Sequence, residues 1–219
     1  MKTISLGFAL ALTLAASFDA AAQQQFGINF DLLAAARNAD EAGVRDLLDR
    51  GAAPNSRNRL GDTPLNTAAR AGKASLVELL LARGADPNLQ NVARVSPLMS
   101  AAFNGHADVV GILLAHRADA ALTDRTQKTA MVYAAGNGCT ECVRLLLEAG
   151  GEVNARYANG VTALMWAAAY GKVETIKLLL ARGADFNARD ERGMTALKFA
   201  TQQNQPLAVE ALRAAGAKE

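Results

Sequence analysis

A threonine or serine returns every 33 residues along most of this chain of 219 residues. Each is followed by a Pro-Leu, Ala-Met or Ala-Leu pair, and the first four are followed in the same register by an alanine pair, a glycine and an apolar triplet. Self-similarity at a fixed period of about 20–50 residues is the signature of a stacked repeat, so the chain is restricted to an array of similar small units. The repeated positions are Thr63, Ser96, Thr129, Thr162 and Thr195.

The order of residue types within one period predicts two short helices. A Thr or Ser can cap the free N–H groups of a first helix, and a following Pro has a backbone angle suited to the first helical turn. Paired alanines allow neighbouring helices to approach closely, and a glycine such as Gly72 or Gly84 can end a helix in the left-handed conformation. Apolar triplets such as Leu79 to Leu81 suit a second helix buried between adjacent units.

Composition supports an all-α fold. The chain has 48 alanines, which favour helix, and only 11 aromatic residues, which is few for a sandwich or barrel of strands. Its 23 Lys and Arg residues nearly balance 21 Asp and Glu residues, for a net charge of +2. That balance gives no case for a nucleic-acid partner or for attraction to a membrane surface.

The pattern resembles the ankyrin repeat, and the resemblance covers nearly all of residues 23–219. It implies an all-α solenoid of paired antiparallel helices with short turn or hairpin tips. We expect a degenerate first unit, with helices from Asp31 to Asn38 and from Glu41 to Gly51, and a truncated last unit from Thr195 to Ala217. The expected units are 27–59, 60–92, 93–125, 126–158, 159–191 and 192–219.

Two departures from the family pattern carry expectations. Arg94 and Arg117 stand where other units have glycine, so the unit that contains them is expected to have the most strained turns. The family commonly has a histidine three residues after the Thr, which bonds neighbouring turns, and we expect that network to be missing here. The residues at these positions are Asn66, Met99, Val132, Met165 and Lys198.

Residues 1–22 have the features of a signal peptide. Lys2 precedes an apolar run from Ile4 to Ala16, and three alanines stand immediately before Gln23. The run is shorter than the roughly 20 apolar residues that a membrane-spanning helix needs. The sequence therefore predicts cleavage near Ala22 and a product in the periplasm, or secreted, with no membrane contact after cleavage.

Catalytic groups are scarce in the remainder. Both histidines, His106 and His116, fall in one unit, where we expect the first to pack or cap and the second to lie at the negative end of a helix. No Ser or Cys arrangement of the triad type and no phosphate-binding loop occurs. We therefore expect no catalytic residue, no metal site, no cofactor and no enzymatic activity.

Cys139 and Cys142 form a CxxC at the start of a second helix, and three interpretations are open. Cys142 could be a small buried residue with Cys139 exposed and separate from it. The two could instead form a structural disulfide, because residues three apart lie on one helix face and an exported chain meets an oxidising compartment. The third interpretation is thiol-redox activity, although redox CxxC motifs typically lie in a βαβ setting.

The ankyrin resemblance implies that a protein partner binds on the concave side, formed by the tips and the exposed parts of the first helices. Aromatic residues and arginine, which dominate interface hot spots, are concentrated there. We also expect Asp62 on this surface. Basic residues of the tips outnumber the acidic surface charges Asp62, Asp124, Asp190 and Glu191, which favours a partly acidic partner. Three half-exposed aromatics at one repeat phase, Tyr133, Trp166 and Phe199, could equally be spacers between helices. The predicted partner-binding residues are Arg59, Arg70, Val95, Phe103, Asn104, Arg125, Lys128, Asn137, Trp166, Tyr170 and Arg192.

The sequence thus predicts a monomeric, non-catalytic scaffold for protein–protein interaction in the periplasm. The resemblance also suggests a link to stress defence, known for exported bacterial ankyrin proteins. Two alternatives are a thiol-redox protein that uses Cys139 and Cys142, and a secreted effector that acts inside another cell.

Overall fold

The computed structural model describes residues 23–218, and one helical hairpin is repeated throughout this range. The predicted signal peptide therefore lies outside the described residues. The first helices of the hairpins are α1 (helical over residues 23–37), α3 (Pro64–Arg70), α5 (Pro97–Asn104), α7 (Ala130–Asn137), α9 (Ala163–Ala169) and α11 (Ala196–Gln202). The second helices are α2 (Glu41–Asp49), α4 (Ala74–Ala82), α6 (Ala107–Ala115), α8 (Thr140–Glu148), α10 (Val173–Ala181) and α12 (Pro206–Ala214). Over these residues the chain contains no strand, which confirms the all-α prediction.

The predicted caps begin most of the first helices. The side chains of Thr63, Ser96, Thr162 and Thr195 each accept a hydrogen bond from the N–H three residues later. These bonds satisfy donors that have no partner within the helix. Thr129 is the exception, because its side chain makes no such cap to α7.

Packing runs along two parallel rows of helices. First helices contact the first helices of the neighbouring units, second helices contact second helices, and the two helices of each hairpin contact each other. The alanine pairs, such as Ala101 with Ala102 and Ala134 with Ala135, are fully buried in the first row. Because each unit buries its apolar face against its neighbours, stability comes mainly from the interfaces between units.

The first helix is longer than the repeat predicts. By the 33-residue period, the position equivalent to Pro64 is Asp31, yet residues 23–30 are helical as well. The expectation that this helix starts at Asp31 is therefore wrong. Residues 23–30 stand at the phase of a tip but contain no Pro or Asp to start a turn, so the chain continues as helix.

The expected loss of the bonding network after the Thr is wrong for one unit. The Asn66 carbonyl oxygen accepts from the Thr63 N–H (3.0 Å), and its amide lies 3.3 Å from the carbonyl oxygen of Leu89 and 3.4 Å from that of Val95. Asn66 therefore links its unit to the next one, as the family's histidine does. Its amide can both donate and accept, which the apolar side chains at the same phase in the next three units cannot.

Arg94 and Arg117 adopt the strained conformation that the sequence predicts. Their φ angles are +59° and +63°, in the left-handed region that glycine occupies at the equivalent positions. A side chain there costs roughly 1–2 kcal/mol because Cβ crowds the following carbonyl. Gln127 shares this conformation, at φ +59°, so the strain continues into the next turn.

Hydrogen bonds join most neighbouring tips, which we number 1 to 5 and define as residues 50–63, 83–96, 116–129, 149–162 and 182–195. Three kinds of hydrogen bond recur. The first joins two backbone groups, and in the second the side chain of an asparagine in one tip accepts from a backbone N–H of the next tip. In the third, an arginine or glutamine side chain donates to a backbone carbonyl of the next tip. Between tips 1 and 2 they run from the Val92 N–H to Leu60 (2.9 Å), from the Asp86 N–H to Asn55 (2.9 Å) and from Arg57 to Gln90 (3.0 Å).

The junction between tips 3 and 4, which we call the central junction, has none of these three bonds among the described residues. Ala121 stands where tips 1, 2 and 4 have asparagine, and Thr123 stands where they have arginine or glutamine. The backbone bond that would join Ala158 to Thr126 is also absent. A cleft of about 1210 Å³ opens between the two tips. The stack is therefore held together at its centre by helix packing, with little help from the tips.

Candidate binding surface

The predicted partner-binding residues lie along one side of the stack, which we call the first-helix face. It consists of the tips and the exposed sides of the first helices. Of the predicted residues, Val95, Lys128 and Trp166 are half-buried and the others are exposed. Because the face is built on rigid helices, its side chains are presented in fixed relative positions.

Four rings form an aromatic cluster at the middle of this face. Phe103 of α5 packs edge to face on Tyr133 of α7, with ring centres 5.5 Å apart. Trp166 of α9 stacks on Tyr170 at the end of the same helix, with ring centres 5.9 Å apart. Lys128 of tip 3 lies between the pairs, its Nζ 5.8 Å from the centre of the Tyr133 ring and 5.0 Å from that of Trp166.

A hollow of about 240 Å³ lies within the cluster. Gly136 of α7 is part of its lining, and a Cβ there would meet Tyr170 and Trp166 at 3.6–3.7 Å, an ordinary contact distance. The glycine therefore leaves space open between the rings, and Lys172 brings a second ammonium group to the edge. Gly136 and Lys172 were not predicted from the sequence, because nothing in the repeat pattern distinguishes them from helix-turn residues.

The aromatic rings differ in exposure according to their repeat phase. Tyr133, Trp166 and Phe199 are half-buried, whereas Phe103 and Tyr170 are each 55% exposed. The three half-buried rings contact both the helix stack and solvent. Their environment therefore fits in part a spacer between helices and in part a residue available for binding. Phe103 and Tyr170 keep more than half of their surface exposed to solvent.

Three acidic residues of the tips point inward. Asp62, Asp124 and Asp190 are 2%, 5% and 5% exposed, so the expectation that Asp62 lies on the surface is wrong. Asp124 accepts hydrogen bonds from backbone N–H groups two and four residues later, as does Asp190, and Asp62 forms an ion pair with Arg70. Asp119, Glu152, Asp185 and Glu191 remain exposed in the tips, together with a larger number of basic side chains. The exposed arginines of the tips are Arg50, Arg57, Arg59, Arg94, Arg117, Arg125, Arg156, Arg182, Arg189 and Arg192.

This inward orientation makes the first-helix face more basic than the residue count suggests. Arg70 is neutralised in part by Asp62, and Arg192 contacts Asp190 at 3.1 Å. Among the described residues, neither Arg125 nor the ammonium group of Lys128 forms an ion pair, and that ammonium group lies over the rings of Tyr133 and Trp166. A surface with unpaired cations and rings favours a partner that carries carboxylates and apolar side chains.

The charged carboxylate of Asp124 contributes to the stability of tip 3. Burial alone would raise the pKa of this carboxyl, but hydrogen bonds from the Tyr133 hydroxyl and from Thr126 and Lys128 outweigh it and lower the pKa below its ordinary value of 3.8. Burial and the same carboxylate raise the pKa of Tyr133. The charged Asp124 therefore stabilises the fold at pH values above its unfolded pKa, and this contribution is lost as the pH falls through the lowered folded value.

Asp124→Asn is therefore expected to lower the free energy of unfolding at pH 7 by about 1–3 kcal/mol. The difference from wild type should shrink between about pH 4 and pH 2, as the wild-type carboxyl becomes protonated. Urea denaturation across this pH range measures both effects, with Glu191→Gln as an exposed control that should change little. A difference as large at pH 2 as at pH 7 would contradict the role of the charge.

The structure joins Cys139 and Cys142 in a disulfide, with Cα atoms 5.2 Å apart. This differs from the interpretation with two separate thiols. Cys139 caps α8 by accepting from the Cys142 N–H, and Cys142 is fully buried in the core. The bond therefore closes the first turn of α8, with one sulfur out of reach of a large substrate.

Both histidines make structural hydrogen bonds. His106 Nε2 lies 3.1 Å from the Arg70 carbonyl oxygen of the preceding unit, and His116 Nδ1 lies 2.9 Å from the Ile112 carbonyl oxygen at the end of α6. His106 thus links two units and makes no side-chain cap to α6. Over residues 23–218, no group of three or more His, Cys, Asp or Glu side chains is placed to hold a metal ion.

Comparison with known families gives matches that together cover almost the whole chain. The family model for ankyrin repeats in three copies matches residues 9–91, 32–124, 68–157, 98–190 and 149–218. The chain therefore belongs to the ankyrin-repeat family, whose repeats support protein–protein interaction and are typically non-catalytic. No individually curated protein gives a significant match. Among helices in the described part of the chain, none has the length and apolar character needed to cross a membrane.

Proposed function

We propose that this chain is a non-catalytic scaffold of the periplasm that binds a protein partner through its first-helix face, with the aromatic cluster as the centre of the contact. The family supports protein binding in general. The observation that carries the finer proposal is the cluster itself, because two rings that are each 55% exposed lie beside Lys128 on rigid helices. Exposed aromatic residues that are already ordered lose little entropy on binding and are common hot spots.

The charges around the cluster suggest what the partner carries. Lys128 and Lys172 lie beside the aromatic rings, and the tip carboxylates of Asp62, Asp124 and Asp190 are buried. A partner segment with carboxylates beside an apolar anchor would pair with these cations while its anchor fills the hollow at Gly136. Contacts at such an exposed rim are screened by salt, so we expect the apolar anchor to supply most of the affinity.

Location in the periplasm rests on residues 1–22, whose sequence has the pattern of a signal peptide. We expect the exported chain to begin at Gln23 when its N-terminal sequence is determined. Retention in the periplasm after export would distinguish this proposal from the secreted-effector alternative, which requires the chain in the medium.

The binding proposal is tested by recovering partners from the exported fraction after chemical cross-linking. Phe103→Ala/Tyr170→Ala is expected to recover at least about tenfold less of the wild-type partners, because hot-spot truncations cost about 2 kcal/mol or more each. Glu174→Ala/Lys177→Ala on α10 is the matched control, and it should recover wild-type amounts. Equal recovery by wild type and the aromatic variant, with unchanged thermal melting, would show that another surface binds.

The thiol-redox alternative makes a different prediction in the same assay. Cys139→Ser/Cys142→Ser removes the disulfide but leaves the first-helix face unchanged, because α8 belongs to the second row of helices. A scaffold should keep its partners in this variant. Loss of the partners together with loss of thiol-exchange activity would favour the redox protein.

A further inference from the structure

The N-terminal end of the first-helix face carries an apolar stripe that the repeat does not account for. Phe26, Phe30 and Leu33 of α1 are spaced four and three residues apart, so they share one side of the helix. Phe26 is 74% exposed and Phe30 is 65% exposed. Opposite them, Leu60 at the end of tip 1 is 66% exposed. Large apolar side chains that are exposed together typically mark an interaction site.

These residues line a groove of about 800 Å³ between α1 and tip 1. The groove exists because α1 continues through residues 23–30, where the period would place another tip. Phe26 and Phe30 form part of one wall, and Leu60 forms part of the other. The shape is a channel with two apolar sides, which is the form that receives an amphipathic helix.

The charged side chains of the groove all have the same sign. Arg37, Arg57 and Arg59 line it, and no acidic side chain does. Arg57 donates to the Gln90 carbonyl, and none of the three forms an ion pair within residues 23–218. The opposite end of the stack differs, because the groove beside α12 is lined by both Glu210 and Arg213.

We propose that this groove binds an acidic amphipathic helix of a protein partner. Its apolar side chains would pack between Phe30 and Leu60, and its carboxylates would pair with Arg37 and Arg59. This surface is separate from the aromatic cluster, since α3 lies between them, and the inference therefore goes beyond the proposed function. The charge of the groove selects the acidic helix over a basic one, and its two walls select a helix over a flat surface.

Two designed peptides test the proposal with protein purified from the exported fraction. Both are amphipathic helices with leucine on one face, and the other face carries glutamate in one peptide and lysine in the other. Fluorescence anisotropy at low salt should show binding of the Leu-Glu peptide at least about tenfold tighter than that of the Leu-Lys peptide. Arg37→Glu/Arg59→Glu should reverse this preference, and Phe26→Ser/Phe30→Ser should weaken the Leu-Glu peptide at least about tenfold.

Leu207→Ser is the matched control, because Leu207 is 66% exposed at the other end of the stack. It should leave the affinity within about twofold of wild type. Equal binding of both peptides, or binding of neither, would overturn the proposal. Binding to phosphatidylglycerol vesicles that is lost in Phe26→Ser/Phe30→Ser, without peptide binding, would overturn it in favour of a lipid surface. None of these outcomes bears on recovery by the Phe103 and Tyr170 variant.

Discussion

Leu179→Ala is expected to unfold the C-terminal half of the stack while the N-terminal half stays folded. Leu179 is fully buried in α10, and removing such a side chain costs about 2–5 kcal/mol. In a repeat protein this loss is transmitted only through the interfaces between neighbouring units. The central junction lacks the hydrogen bonds that join the other tips. We therefore expect the destabilisation to spread least across this junction.

Hydrogen exchange measured by mass spectrometry checks this expectation. In Leu179→Ala, the amides of α9 to α12 should lose protection by at least about 100-fold, and those of α3 to α6 should change by less than about threefold. Leu80→Ala is the matched variant, because Leu80 is fully buried at the same repeat phase on the other side of the junction. It should give the reverse pattern. A uniform loss of protection in both variants would contradict a weak central junction.

A repaired junction gives a second control for the same experiment. Ala121→Asn/Thr123→Gln copies the Asn88 and Gln90 pair, which bonds tip 2 to tip 3. With these bonds restored, the two halves should unfold together, and Leu179→Ala should also lower protection in α5 and α6.

Gly72→Ala is expected to destabilise the protein by about 2–4 kcal/mol, far more than the same change at Gly84. Both glycines have positive φ, +66° and +84°, so both variants incur roughly 1–2 kcal/mol for a side chain in the left-handed region. A Cβ at Gly72 would also lie 2.5 Å from His106 Nδ1, whereas nothing lies within 4 Å of one at Gly84. To relieve this clash, the ring must give up its bond to the Arg70 carbonyl.

Urea denaturation of the two variants measures the difference between them. In a double-mutant cycle, Gly72→Ala in the background of His106→Ala should cost no more than Gly84→Ala, because the clash has been removed. Equal costs for Gly72→Ala and Gly84→Ala in the wild-type background would show that His106 does not constrain the turn.

The period, the helix pairs and most helix starts were predictable because they depend on local residue types. A Thr or Ser followed by Pro favours the start of a helix through local interactions alone, as at Thr63-Pro64 and at the equivalent pair in the next unit. The positions on the first-helix face followed from the same register. Eight of the eleven predicted residues are exposed in the structure, and Val95, Lys128 and Trp166 are half-buried.

Features that depend on contacts not encoded in the repeat pattern were missed. Asp62, Asp124 and Asp190 were counted as surface charges, although their carboxylates turn inward to neighbouring N–H groups or to Arg70. At the central junction, the sequence shows that Ala121 and Thr123 differ from the equivalent residues of other tips. Only the structure showed that those equivalent residues form hydrogen bonds between tips. The N-terminal groove was missed because the period was assumed to continue into residues 23–30.

Site-specific photo-cross-linking in the exported fraction tests the central claim most directly. A photoreactive phenylalanine analogue at position 103 should capture a partner protein, whereas the same analogue at Lys177, exposed on α10 of the second row, should capture none. Cross-linked products of equal yield at both positions, or products at position 177 alone, would contradict binding through the first-helix face.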